Sequence, residues 1–279
     1  MLMFLTSESN TSADSKLTAM FNKIININKT MISSGRKDTA LNPGEVDVLN
    51  NLRAALEASK SIPAGSLDLV IRIVTRWDYA DRLAGLDLLR CLAAKYHVVA
   101  QYTSPELGSL LQLTIASSLP NGGAAAPNEN AIMMGIRVIA NVFAFADGRS
   151  LASSQADVAL SFLERVAGVQ GGGPIGKFNR NVLIASSTAA LNYAVLVARE
   201  RLLTPALRRR LFILLGAILA DQTDSEVLYR GVVALGTLLS ASPEAATNLD
   251  VAGWISGAAG RGTEERIKQV AGECSQFLR

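Results

Sequence analysis

One histidine, two cysteines and an aromatic content of 5% are all that 279 residues supply of the groups from which many catalytic and metal sites are built. With His97 as the sole imidazole and Cys91 and Cys274 as the thiols, no set of soft ligands completes a structural zinc site. A serine or cysteine nucleophile would have one imidazole available as its base. We therefore expect no catalytic residue, no metal, no cofactor and no enzyme. Both cysteines lie inside apolar helical patterns, where they read as small buried hydrophobes of a reducing compartment rather than a disulfide framework. Charge of one sign is missing too. The formal charge is +3 and the basic residues are scattered, so the footprint of a nucleic-acid binder is absent, although a local basic groove is compatible with it. The longest apolar stretches, Ala131 to Phe145 and Leu211 to Ala220, are too short to cross a bilayer, and the first carries Arg137 and Asn141. Met1 to Asn10 has a short apolar run without a basic leader or adequate length, so no signal peptide is expected. No membrane association is expected.

What is present is 49% hydrophobic residues dominated by Ala, Leu and Val, the composition of packed helices rather than of a β-sandwich. Proline supplies the punctuation, because it fits the first turn of a helix and breaks its interior. Asn42-Pro43, Ser104-Pro105, Thr204-Pro205 and Ser242-Pro243 each read as a helix start. Glu45 stands at capping-box distance from Asn42, and Glu226 at the same distance from Thr223. Apolar residues recurring at three and four predict helices near 15–32, 43–59, 66–76, 80–96, 105–118, 129–147, 155–168, 180–200, 205–220, 224–240 and 262–278, with no strand. Asn121 to Asn130 and Gly171 to Gly176 read as inter-helix loops. Residues 1–16 read as a flexible N-terminal segment and 17–279 as one domain.

Four apolar segments superpose, 86–92, 137–143, 188–194 and 232–238. Their fifth positions, Arg90, Asn141, Asn192 and Gly236, stand 51, 51 and 44 residues apart. Armadillo and HEAT units repeat at roughly 40–47 residues. An all-α, armadillo-like α-solenoid follows. Asparagine has poor propensity mid-helix, so Asn141 and Asn192 need a compensating role. Equivalent positions on successive inner helices can line one groove, where amides pair with the backbone of an extended peptide. The competing reading has these amides bonding internally, with the arginines on solvated faces. Gly171 to Lys177 has phosphate-loop spacing up to its lysine, but Phe178 stands where magnesium needs Ser or Thr and the preceding segment reads as helix, which disfavours nucleotide. Arg208-Arg209-Arg210 reads as a solvated face or helix-end charge. Trp77, Tyr79 and Tyr229 are peptide-contacting or packing aromatics.

The blocks Leu86-Asp87-Leu88-Leu89-Arg90, Ala190-Leu191-Asn192-Tyr193, Val233-Ala234-Leu235-Gly236-Thr237-Leu238 and Cys274-Ser275-Gln276-Phe277-Leu278 resemble the PUL domain, the C-terminal module of phospholipase-activating protein and its fungal relatives in the ubiquitin pathway. The resemblance runs from about Leu17 to the C-terminus. It implies about six armadillo-like repeats whose basic concave groove docks the acidic, tyrosine-containing C-terminal tail of the AAA ATPase segregase valosin-containing protein, in the cytoplasm and nucleus. Ubiquitin itself would be engaged only through other domains of the full-length family, a WD-repeat propeller and a ubiquitin-binding domain that this sequence does not contain. The positions matching the family's groove are Arg90, Asn141, Asn192 and Arg230, with Arg137 and Arg72 as weaker matches. Gly236 would leave room for the ligand or for close helix packing. A scaffold for another protein, or a module regulating a membrane or a phospholipase, is the alternative.

Overall fold

Asn42 accepts the Glu45 N–H at 3.0 Å while the Glu45 carboxylate accepts the Asn42 N–H at 2.9 Å, so both donors freed at this helix start are satisfied before proline fixes the first turn. Local chemistry of this kind sets several helix starts in the computed structural model, which describes residues 13–120, 126–169 and 179–278. Thirteen α-helices run through them: α1 Ala13–Ser33, α2 Pro43–Glu57, α3 Ser66–Arg76, α4 Leu83–Lys95, α5 Leu110–Ser118, α6 Glu129–Val142, α7 Ala146–Ser154, α8 Ala156–Ala167, α9 Arg180–Glu200, α10 Pro205–Leu219, α11 Ser225–Ala241, α12 Val251–Arg261 and α13 Glu265–Cys274. The chain is all-α, as its periodicity predicts. The Gly171 to Lys177 stretch lies outside the described residues.

Four boundaries depart from the expectation. Ser104-Pro105 does not start a helix. Its hydroxyl accepts from the N–H groups of Glu106 and Leu107 to form a turn between two two-residue strands, β1 Thr103–Ser104 and β2 Gly108–Ser109. The helix starts at Leu110, behind a capping box made by Ser109 and Gln112. Pro243 opens only a short 3₁₀ turn, Pro243–Ala246. The first turn of α11 is capped by Asp224, not Thr223: its carboxylate accepts from the Glu226 and Val227 N–H groups at 3.0 and 3.1 Å. Finally, the predicted helix over 129–147 is two helices. The Cβ that a side chain at Gly148 would carry falls 1.7 Å from the Val142 carbonyl oxygen, so only glycine allows this corner to close.

The chain divides into two compact units, with the boundary inside α6 between Val138 and Ile139. In the N-terminal unit, α1 packs on α2 and α4, and α3 packs on α2, α4 and α5. Phe21, Ile24, Leu49, Leu52, Ile73 and Trp77 fill its core. Trp77 is therefore packing, with its indole N–H donating to the Thr39 carbonyl at 3.1 Å. Asn28, also buried, bonds both the N–H and the C=O of Leu41 and ties α1 to the segment leading into α2.

In the C-terminal unit the pairing skips one helix at a time. α9, α11 and α13 pack in succession, and α8, α10 and α12 do the same, with α10 also meeting α9 and α11. Two layers of alternating helices are the mark of a solenoid, in which each element contacts its near neighbours. The superposed blocks 188–194 and 232–238 lie on the adjacent helices α9 and α11. α9 is 21 residues long and apolar enough to span a bilayer, but 78% of that window is buried inside the protein, as expected of a core helix. Gly236 packs against Cys274: an added Cβ would meet its sulfur at 2.3 Å. Its missing side chain thus serves the approach of α11 to α13, and not a ligand.

Candidate functional site

The α11 cap places the first functional cluster. Arg180 donates to Asp224 at 2.6 Å. Burial pushes the Asp224 carboxyl up, but the N–H of Val227 and the Arg180 guanidinium outweigh it and hold its pKa below the usual range. From there Glu226 and, one turn further along α11, Tyr229 and Arg230 follow. Glu226 and Arg230 stand four apart, so they share a face. Arg230 donates from Nε to Glu226 Oε1 at 2.7 Å, and its Nη1 donates to the Thr188 hydroxyl on α9. Arg266 reaches over from α13. It donates to Glu226 Oε2 at 2.9 Å, also pairs with Glu264, and lies 4.4 Å from the centroid of the Tyr229 ring.

Each oxygen of Glu226 thus faces a different guanidinium. Burial raises the pKa of this carboxyl, yet the bonds from Arg230 and Arg266 prevail and lower it. Arg230 keeps 24% of its side chain exposed and Arg266 keeps 43%, so both remain reachable from solvent. Tyr229 is the platform under Arg266. Sequence reasoning singled out Arg230 and missed Glu226 and Arg266 as its companions; Arg266 lies 40 residues from Glu226, beyond any local signal.

In the N-terminal unit Arg90 sits on α4 in a similar setting. It donates from Nε to Asp87 Oδ1 at 2.7 Å, one turn earlier on the same helix, and from Nη2 to Cys91 Sγ at 3.4 Å. Desolvation opposes its charge, but the Cys91 sulfur and Asp87 more than compensate. Cys91 is half-buried rather than buried, and its sulfur accepts from this guanidinium. Arg72, on α3, pairs with Glu45 and donates to the Ala40 carbonyl at 3.2 Å. It lines a small depression of about 190 Å³ together with Glu45, Val48, Gly65, Asp68 and Leu69. Arg137 is half-buried on α6.

The asparagines occupy different ground. Asn141 and Asn192 are both 0% exposed, and Asn192 donates its amide to the Ala140 carbonyl at 2.9 Å. A fully buried amide presents no atom to a ligand. Its bond to a neighbouring helix compensates for the poor propensity of asparagine and fixes the helix register, which is the internal-bonding reading. Tyr193, its neighbour, packs edge-on against Phe143 with ring centroids 5.0 Å apart and donates to the Ala152 carbonyl.

The triple arginine on α10 is not an idle solvated face. Arg208 donates to the carbonyls of Leu203 and Arg201, and Arg209 to that of Thr247. Arg210 forks onto Glu164 on α8 at 2.8 and 2.7 Å and also engages Asp157 and Ser161. These three residues are structural ties within the C-terminal unit.

Among the described residues no group of three or more His, Cys, Asp or Glu side chains is placed to hold a metal ion. The chemistry on offer is the recognition of carboxylates by half-buried arginines beside aromatic and hydroxyl groups. No curated protein sequence matches the chain. The family model described as the PUL domain matches residues 7–273, nearly the whole chain.

Proposed function

The chain belongs to the PUL domain family, whose members are protein-interaction modules, and from that premise we propose that it docks the acidic, tyrosine-containing C-terminal tail of the AAA ATPase valosin-containing protein. It then serves as the ATPase-docking end of a ubiquitin-pathway adaptor in the cytoplasm and nucleus. The observation that supports this reading is the state of Arg90 and Arg230. Each is half-buried on a helix, each is aimed by a carboxylate one turn earlier, and each keeps part of its side chain exposed, 14% for Arg90 and 24% for Arg230. A guanidinium held in this way loses little further entropy on forking onto a ligand carboxylate, and a charge-assisted bond contributes about 1.5–3 kcal/mol. Arg72 and Arg137 are proposed as secondary contacts. Asn192 acts by tying α9 to α6, and Asn141 is buried as well.

The test is a calorimetric titration with a tail peptide. Arg90→Ala and Arg230→Ala are each expected to weaken binding by roughly 1–3 kcal/mol without loss of fold, as neither belongs to the apolar core. Lys177→Ala, at the residue that a nucleotide-binding reading requires, is expected to leave binding unchanged. Wild-type affinity in both arginine variants would refute the proposed docking.

A further inference from the structure

The cluster formed by α9, α11 and α13 is electrically satisfied at rest. Arg230 and Arg266 bring two positive charges, and Glu226 and Glu264 bring two negative ones. A ligand that contributes no charge gains little from the donors Glu226 holds, because taking them would break an existing ion pair without replacing it. A ligand carrying its own carboxylate faces a different balance. It can take the place of Glu226 on the two guanidinium groups, and the glutamate side chain, already 26% exposed, can turn out into water.

We propose that Glu226 is a built-in competitor for the carboxylate site of Arg230 and Arg266, and that an acidic peptide binds by displacing it. This deepens the docking proposed above and rests on it. It adds Arg266 and Tyr229 to the docking surface. Arg266 holds Glu226 through the second carboxylate oxygen, and the Tyr229 ring beneath it keeps its guanidinium in place once the glutamate leaves. The competitor also sets specificity. Peptides without an acidic group in register are excluded by the intact pair, a form of discrimination that works by denying the wrong partner a favourable exchange.

The experiment titrates the full chain with the ATPase tail peptide and with an unrelated peptide of five glutamates, using wild type, Glu226→Gln, Arg266→Ala and Arg230→Ala. Thermal melts confirm that each variant is folded. Glutamine keeps an acceptor for the arginines and removes the competing charge, so Glu226→Gln is expected to bind the tail peptide about threefold to fivefold more tightly. Arg266→Ala is expected to weaken binding about fivefold to tenfold. Unchanged or weaker binding in folded Glu226→Gln, or unchanged binding in Arg266→Ala, overturns the competitor while leaving tail docking in place. If only the glutamate peptide binds, and Glu226→Gln tightens it, the competitor stands and the choice of the ATPase tail falls. If neither peptide binds wild type, both proposals fall together.

Discussion

At Gly236 a single hydrogen in place of a methyl group decides how closely two helices pack. The neighbouring Cys274 sulfur is buried and donates to the Val232 carbonyl at 3.6 Å, and burial pushes its thiol pKa up to about 11, so it remains protonated and unreactive near neutral pH. Gly236→Ala is expected to cost roughly 1–3 kcal/mol of stability through overpacking against that sulfur. Adding Cys274→Ala should recover part of the loss, and an additive double mutant in urea unfolding would show that the clash is not what destabilises. Arg210 makes a second residue-scale case. Glu164 is only 5% exposed, and Arg210 supplies both of its oxygens with donors. Arg210→Met leaves a buried carboxylate without its guanidinium and is expected to cost about 3 kcal/mol, whereas pairing it with Glu164→Leu should restore much of the stability. Equal melting temperatures for the single and double variants would contradict this.

At the scale of elements, the reach of a signal along the chain decides what the sequence discloses. Asn42 and Thr204 announce α2 and α10 because cap and partner lie three residues apart. The α5 start was misplaced because two such signals compete within six residues, and the capping box at Ser109 with Gln112 wins over Ser104-Pro105. Ser109→Ala should therefore cost about 1 kcal/mol in thermal stability, and Ser104→Ala clearly less; the reverse order would mean that the turn, not the box, anchors α5. α12 went unseen because Gly253, Gly257 and Gly260 lower its propensity. It forms because Trp254 packs where Gly216 leaves space on α10. The turn between α9 and α10 holds two left-handed residues without glycine, Arg201 and Leu203, and Arg208 donates to both of their carbonyls. No local pattern predicts that bond pattern. The same limit applies to the candidate site: Arg90 and Arg230 were legible through their blocks, while Arg266 was not.

For the whole molecule, Glu226 links stability to function, and the two effects have opposite signs. Its pKa is lower in the folded chain than its ordinary value near 4.5, because Arg230 and Arg266 outweigh burial. A depressed carboxyl contributes stability above its unfolded pKa and loses that contribution as pH falls through the folded value. Wild type should therefore be more stable than Glu226→Gln at pH 7, by about 1 kcal/mol. The gap should shrink below pH 4.5 and close once the carboxylate is protonated in both folded and unfolded chains. Urea unfolding of the two proteins along a series of falling pH values checks this, and a gap that does not narrow as the pH falls would show that the side chain's shape, rather than its charge, is what the fold uses. The variant expected to bind an acidic peptide more tightly is thus also expected to be the less stable protein at neutral pH. That opposition is common where a site is kept poised for exchange. In the proposed exchange the carboxylate holds α11 to α13 in the unbound state, and the carboxylate of the incoming peptide takes over that role.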